Sequence, residues 1–186
     1  GLGVDVFGPR PIGLRIMFLL LGALLPWLAI RIARRWIDRD HAWTVGILVL
    51  LMPIAGLNGL FAAPDVPLML AVLLCLEGIA ILREKSTAGG WLMLLSGLVL
   101  GAISHYRFAP VLAAMLCGVL LDRDARRRLA DPRLWIVLAL GALAWAPLIA
   151  WNIEHAAEGV KFQFLERHPW TFQTEATPGV AASEPK

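Results

Sequence analysis

The chain has 186 residues, of which 59% are hydrophobic and only 17% charged. An ordinary soluble domain holds about 45–50% apolar residues, so this composition excludes a soluble globular domain, and the scarcity of charge excludes a disordered chain. The formal net charge of +3 comes from 17 basic and 14 acidic residues; the basic ones flank apolar blocks, which is a pattern of membrane orientation and not of nucleic-acid binding.

A helix that crosses a bilayer needs about 20 apolar residues, because hydrocarbon offers backbone N–H and C=O groups no partner. The first such block covers residues 12–30 and ends at Arg31, Arg34 and Arg35. The second covers 42–63, and the third covers 66–82 and ends at Arg83. Residues 91–121 follow, interrupted by Ser104-His105-Tyr106-Arg107. As one helix this stretch would be roughly 46 Å long, too long for a core of about 30 Å; as two helices, each is somewhat short. The last block covers 134–151.

Charge decides between one helix and two. With two there are six spans, and the loops alternate sides. One side then receives Arg31, Arg34, Arg35, Arg39, Arg83, Lys85, Arg123, Arg126, Arg127, Arg128 and Arg133, eleven of the 17 basic residues. The other receives Arg10, Arg15, Arg107, Lys161, Arg167 and Lys186. The eleven fall in three short loops, as the positive-inside rule requires. The sequence therefore predicts an all-α fold, a polytopic transmembrane helical bundle of about six spans with both chain ends outside the cytoplasm. Residues 1–170 form this membrane domain, and the polar residues 171–186 form a tail expected to be disordered. An even number of spans, an external start and the absence of an initiator Met read as a fragment that has lost at least one preceding span.

The polar residues gather at the external ends of the spans. Asp65 stands in Ala63-Pro64-Asp65-Val66-Pro67, a turn pinned by two prolines. From residue type alone it reads first as a cap that meets the N–H groups and positive dipole of the third span. His105, Tyr106 and Arg107 form the next external cluster. They suit a phosphate, although interfacial anchoring by Tyr and a snorkelling Arg is the simpler reading of the residues themselves. Asn152, Glu154 and His155 follow the last span; position 159 is Gly, so His155 has no second ligand one turn on and no local metal site results. Residues 161–170 mix aromatic and basic side chains in the manner of a segment lying in the membrane interface. Glu77 lies inside the third span, toward its cytoplasmic end, and is expected to pair with a neighbouring helix or to snorkel. Cys75 and Cys117 sit in apolar blocks and read as packing residues rather than as a disulfide or zinc ligands. Pro26, Pro53, Pro110 and Pro147 fall inside spans and bend them. No phosphate-binding loop, dinucleotide fingerprint, nucleophile elbow, His-Glu-x-x-His helix or internal repeat is present.

The order of several weak motifs carries more than any one of them. Phe7-Gly8-Pro9-Arg10-Pro11-Ile12-Gly13-Leu14-Arg15 resembles the loop leading into the second span of membrane glycosyltransferases. These are the family-39 and dolichyl-phosphate-mannose–protein mannosyltransferase-like enzymes of the GT-C type, with the bacterial lipid A aminoarabinose transferases as relatives. Ala63-Pro64-Asp65-Val66-Pro67-Leu68 resembles the family's Thr-Pro-Asp-x-Pro. Gly97-Leu98-Val99-Leu100-Gly101-Ala102-Ile103-Ser104-His105-Tyr106 resembles Gly-Leu-x-Leu-Gly-x-x-Ser/Thr-Lys-Tyr, with His105 where the family has Lys. Trp151-Asn152-Ile153-Glu154-His155, followed by Phe162-Gln163-Phe164, resembles Trp-Asn-x-x-His and Phe-x-Phe/Gln. The likeness covers about residues 5–170.

The resemblance implies transfer of a sugar from a polyprenyl-phosphate carrier to an acceptor lipid, glycan or protein, at the periplasmic face of a bacterial inner membrane, with no nucleic-acid partner. It implies Asp65 as a catalytic carboxylate, His105, Tyr106 and Arg107 as lipid-phosphate and donor contacts, and Asn152 and His155 as lining of the same cavity; a divalent metal is left open. The family's principal carboxylate lies in a first external loop that this sequence does not contain, and Asp5 is too close to the Phe-Gly-Pro-Arg stretch to replace it, so the segment alone is expected to be inactive. Two other readings stay open at this point: a transporter or flippase fragment, and a membrane subunit without chemistry.

Overall fold

The structure, a computed structural model, describes residues 11–52, 65–155 and Lys161, and of residues 11–14 the backbone only. The Phe-Gly-Pro-Arg stretch, the second half of the second apolar block with Pro53, the Ala63-Pro64 part of the proline turn, residues 162–170 and the tail 171–186 lie outside the described residues. The described residues are helical, with no strand among them. The chain divides into two units, Gly1–Ala146 and Pro147–Lys186.

The first unit contains α1 (Pro11–Trp36), α2 (Ala42–Leu51), α3 (Asp65–Glu84), α4 (Ala88–Ser104), α5 (Phe108–Leu121), the single turn α6 (Arg123–Arg126), a 3-10 turn (Arg127–Ala130) and α7 (Pro132–Leu143). Ala146–Glu154 forms α8. Three stretches are long and apolar enough to cross a membrane: Arg15–Trp36, Asp65–Glu84 and Pro132–Glu154, of 22, 20 and 23 residues. The stretch 91–121 is two helices broken at residues 105–107, as the charge pattern requires. Local chemistry sets the other ends. Arg34 and Arg35 occupy the last turn of α1, where cations meet the carbonyl end of the helix dipole. Thr87 caps α4 by accepting from the Gly90 N–H at 3.2 Å. Asp131 caps α7 by accepting from the Arg133 N–H at 3.0 Å, with Pro132 in the first helical turn.

Small residues set how closely the helices approach. A Cβ on Gly78 would lie 2.7 Å from the Leu94 backbone nitrogen, one on Gly97 would lie 2.6 Å from Cys75 Sγ, and one on Gly141 would lie 2.8 Å from Leu98 Cβ. Only hydrogen fits at these crossings, so backbones meet directly, the packing mode available where lipid removes the hydrophobic drive between helices. The contacts also give the register. Gly78 faces Leu94, Gly90 faces Ile81 and Leu82, and Gly97 faces Ala71 and Cys75, so α3 and α4 are antiparallel. Around them Phe108, Val137, Trp91 and Leu98 complete one buried cluster. Leu25 and Leu28 of α1 pack with Val66 and Leu70 of α3 in a second. Cys75 is a buried packing residue and Cys117 is exposed, the two roles expected for apolar-facing thiols.

Polar bonds close one end of the unit. Glu77 is 0% exposed inside α3. Its Oε1 accepts from Arg31 Nη2 at 2.9 Å and Nε at 3.0 Å, and from Arg35 Nε at 3.3 Å. Arg35 also reaches Glu84 at 3.2 Å. Of the two expectations for Glu77, pairing with a neighbouring helix is the one realised. Arg128 Nε donates to the Leu82 carbonyl at 2.6 Å, Arg83 pairs with Asp122 at 3.2 Å, and Ser86 donates to Asp131 at 3.3 Å. The loops rich in arginine thus lie together at this basic end. α1 and α3 run toward it in parallel, and α4 and α7 run away from it.

Two outcomes are expected. A buried carboxylate removed from its arginines leaves two cations in an apolar setting, so Glu77→Ala should cost about 3–5 kcal/mol of stability, read as a lowered unfolding midpoint in detergent. Replacing Glu77, Arg31 and Arg35 together by Met should recover most of that loss. At the surface, the Asp122 carboxyl is held below its ordinary 3.8 by backbone N–H bonds, chiefly from Ala125, and by Arg83 beside it. A depressed folded value contributes stability that is present above pH 3.8 and lost as pH falls through that lower value. The protection of the Ala125 amide, its exchange rate taken relative to the intrinsic rate at each pH, should therefore fall on acidification below about pH 4, and Asp122→Ala should abolish that step.

Candidate functional site

The α3–α4 register fixes where the first two motifs fall. Continuing from Gly97 facing Ala71, the next turns bring the start of α3 opposite the end of α4. Asp65, the first residue of α3, therefore lies across from the break at 105–107, at the end of the unit away from the arginine-rich loops. Arg15, near the start of α1, belongs to this end as well, because α1 and α3 are parallel.

The Asp65 side chain is half-buried and bonds to none of the described residues. It does not act as the cap its position suggested; no backbone N–H of the first turn donates to it among the described bonds. Val66 beside it is fully buried against α1, which fixes the backbone that presents the carboxylate.

The break at 105–107 is tightly braced. The His105 N–H donates to Gly101 O at 3.4 Å, the Phe108 N–H to His105 O at 3.0 Å, and the Ala109 N–H to Tyr106 O at 3.1 Å. Ser104 Oγ donates to Leu100 O. The Arg107 N–H donates to His105 Nδ1 at 3.1 Å, which requires the imidazole tautomer with its proton on Nε2. The His105 and Tyr106 rings lie 4.3 Å apart. Arg107 is exposed. An aromatic pair, an imidazole N–H and a guanidinium then stand on three consecutive residues at the same end of the α3–α4 hairpin as Asp65.

Phe108, which the sequence did not single out, and Gly101 of the third motif hold this break. Phe108 is fully buried, and its ring fills the place that a Cβ on Gly101 would occupy. The signal was the Gly97-x-x-x-Gly101 spacing within the third motif, one face of a helix that requires close approach.

Asn152 and His155 belong to the second unit. Asn152 Nδ2 donates to Leu148 O at 2.9 Å, while its Oδ1 is buried with no partner among the described residues. His155 Nδ1 lies 2.8 Å from Trp151 O, and its ring stacks on Trp151 at 4.4 Å. Glu154 ends α8. Among the described residues, no three His, Cys, Asp or Glu side chains surround a common point that could hold a metal ion.

A family model described as Dolichyl-phosphate-mannose-protein mannosyltransferase matches residues 1–151. No curated protein gives a significant match, and neither does any solved structure.

The brace makes a contrast between two glycines. Gly101→Ala should destabilise the protein by about 1–3 kcal/mol, because the methyl group must displace Phe108. Gly118→Ala, where a Cβ meets nothing within 4 Å, should be neutral or stabilising by up to about 1 kcal/mol. Unfolding midpoints of the two variants in the same detergent check the pair.

Proposed function

Because the chain belongs to the dolichyl-phosphate-mannose-protein mannosyltransferase family, we propose that it forms part of an enzyme that moves a sugar from a polyprenyl-phosphate carrier to an acceptor at the end of the bundle that bears Asp65. The family and the apolar helices make it an integral-membrane glycosyltransferase. The finer reading rests on one juxtaposition: a carboxylate on α3 stands across from an imidazole, a phenol and a guanidinium on the α4–α5 break.

The chemistry asks for these groups. The acceptor hydroxyl oxygen attacks the anomeric carbon, its proton goes to a base, and the bond to the carrier phosphate breaks with the phosphate leaving as an anion. Asp65 supplies a carboxylate of this centre, as a second acid beside the family's principal one or as a ligand of the donor sugar. Arg107 and the His105 N–H are donors suited to the phosphate as negative charge grows on it, and Tyr106 lies beside them at the depth of the lipid headgroups. Asn152 and His155 stay outside this assignment. The arginine-rich end reads as cytoplasmic by the positive-inside rule, which turns the Asp65 end outward, to the periplasmic side in a bacterial inner membrane. The transporter alternative needs free polar groups along a path through the bilayer; Glu77, the acid at that depth, is held by Arg31 and Arg35 instead.

The test is a transfer assay with polyprenyl-phosphate mannose as donor, run on the protein expressed from its full-length gene. Asp65→Asn should lower turnover by about 100-fold or more with unchanged expression and unfolding midpoint. Arg107→Gln should raise KM for the donor more than it lowers kcat. An Asp65→Asn protein that keeps wild-type turnover would refute the role of Asp65.

A further inference from the structure

We propose that the outer face of α1 and α2, at the basic end, is a binding site for an anionic phospholipid, with its phosphate on Arg34 and its acyl chains on an exposed apolar stripe. The site is independent of the sugar-transfer reading and lies at the opposite end of the unit from Asp65.

The stripe is built by helical spacing. Leu20, Leu24, Trp27, Arg31 and Arg34 follow one another at intervals of four, three, four and three residues, so they share one face of α1. From mid-span to the basic end this face reads aliphatic, aromatic, cationic. Trp27 is 50% exposed, and the Arg31 guanidinium stands 4.9 Å from the centroid of its ring. The facing helix repeats the aliphatic and aromatic part of this order. Trp43, Ile47 and Leu50 lie four and three residues apart on α2 and are 60%, 54% and 64% exposed.

The two stripes meet at their polar ends. Gly46 sits so close to Ile30 that a Cβ has no room there, and this approach sets α1 and α2 side by side. Arg34 of α1 then lies over the Trp43 ring of α2, 5.4 Å from its centroid. The other two arginines at this end of α1 are committed elsewhere: Arg31 and Arg35 to Glu77, and Arg35 also to Glu84. The loop acid Asp38 is taken by His41 at 2.7 Å, and this bond holds its carboxyl below the ordinary range. Arg34 is exposed and forms no ion pair with any described residue. A guanidinium seated on an indole, at the polar end of a two-helix apolar stripe, matches a lipid phosphate above its acyl chains in charge and in the order of its parts.

The probe is brominated phosphatidylglycerol, titrated into phosphatidylcholine nanodiscs that hold the full chain, with tryptophan quenching as the readout and brominated phosphatidylcholine as the neutral comparison. The anionic lipid should quench at a severalfold lower mole fraction than the neutral one. Trp43→Phe should remove part of the quenched signal. Arg34→Gln should weaken the anionic preference about fivefold, the factor that one basic residue carries beside an anionic lipid, and Arg34→Lys should restore part of it. Arg133→Gln, at the same end but on α7, should leave the preference within about twofold, as expected of a residue outside the site. Equal quenching by the two lipids overturns the proposal, and so does an equal loss in the Arg34→Gln and Arg133→Gln proteins. Quenching by neither lipid also overturns it, because a second copy or another protein then covers the face.

Discussion

A carboxylate with no exposed surface lies inside a helix made to sit in lipid, and two arginines from another helix neutralise it. Everything else in the unit is arranged around that arrangement. Glu77 is tolerable in an apolar setting only while Arg31 and Arg35 hold it. The pairing fixes α1 and α3 in direction and in register, because a slip of one turn would part the charges. With those two helices set, the cluster of Leu25, Leu28, Val66 and Leu70 can form above the ion pair. That cluster in turn holds the first turn of α3, where Asp65 stands. An interaction near one end of the unit thereby positions a side chain near the other.

The α3–α4 hairpin is the second determinant. Its crossings are made at glycines, and close backbone contact leaves little freedom to slide. Asp65 and the 105–107 break are separated by two whole helices in sequence, yet the hairpin returns one to the level of the other. Gly101 and Phe108 complete the arrangement by holding the turn against α4. The functional candidates therefore sit on a rigid part of the bundle, and the charged loops at the far end tie the same helices together through Arg128, Arg83 and Asp131.

Much of the fold could be read in the residues. Long apolar blocks gave the helices, and the distribution of Arg and Lys showed that 91–121 had to be broken where His105, Tyr106 and Arg107 stand. The partners of Glu77 could not be read, because a buried acid announces only that it needs a cation, and several arginines were on offer. Nor could the order of packing: hydrophobic residues all around a helix do not say which face meets protein and which meets lipid. The small residues at Gly78, Gly97 and Gly141 carry that information, but only once the neighbouring helix is known. At the candidate site the residue types were legible and their bonds were not. Asp65 had the sequence of a cap and makes no capping bond among the described residues, while the tautomer of His105 depends on a backbone N–H two residues away.

The 46-residue separation between Arg31 and Glu77 has a bearing on biogenesis. Translation runs from the N-terminal side, so the arginines are threaded into the insertion machinery before the acid they hold has been synthesised. When Glu77 is made, both of its counterions are already present in the chain. The reverse order would strand a lone negative charge in oil. The polar lock therefore closes only once the later of its two helices has been made.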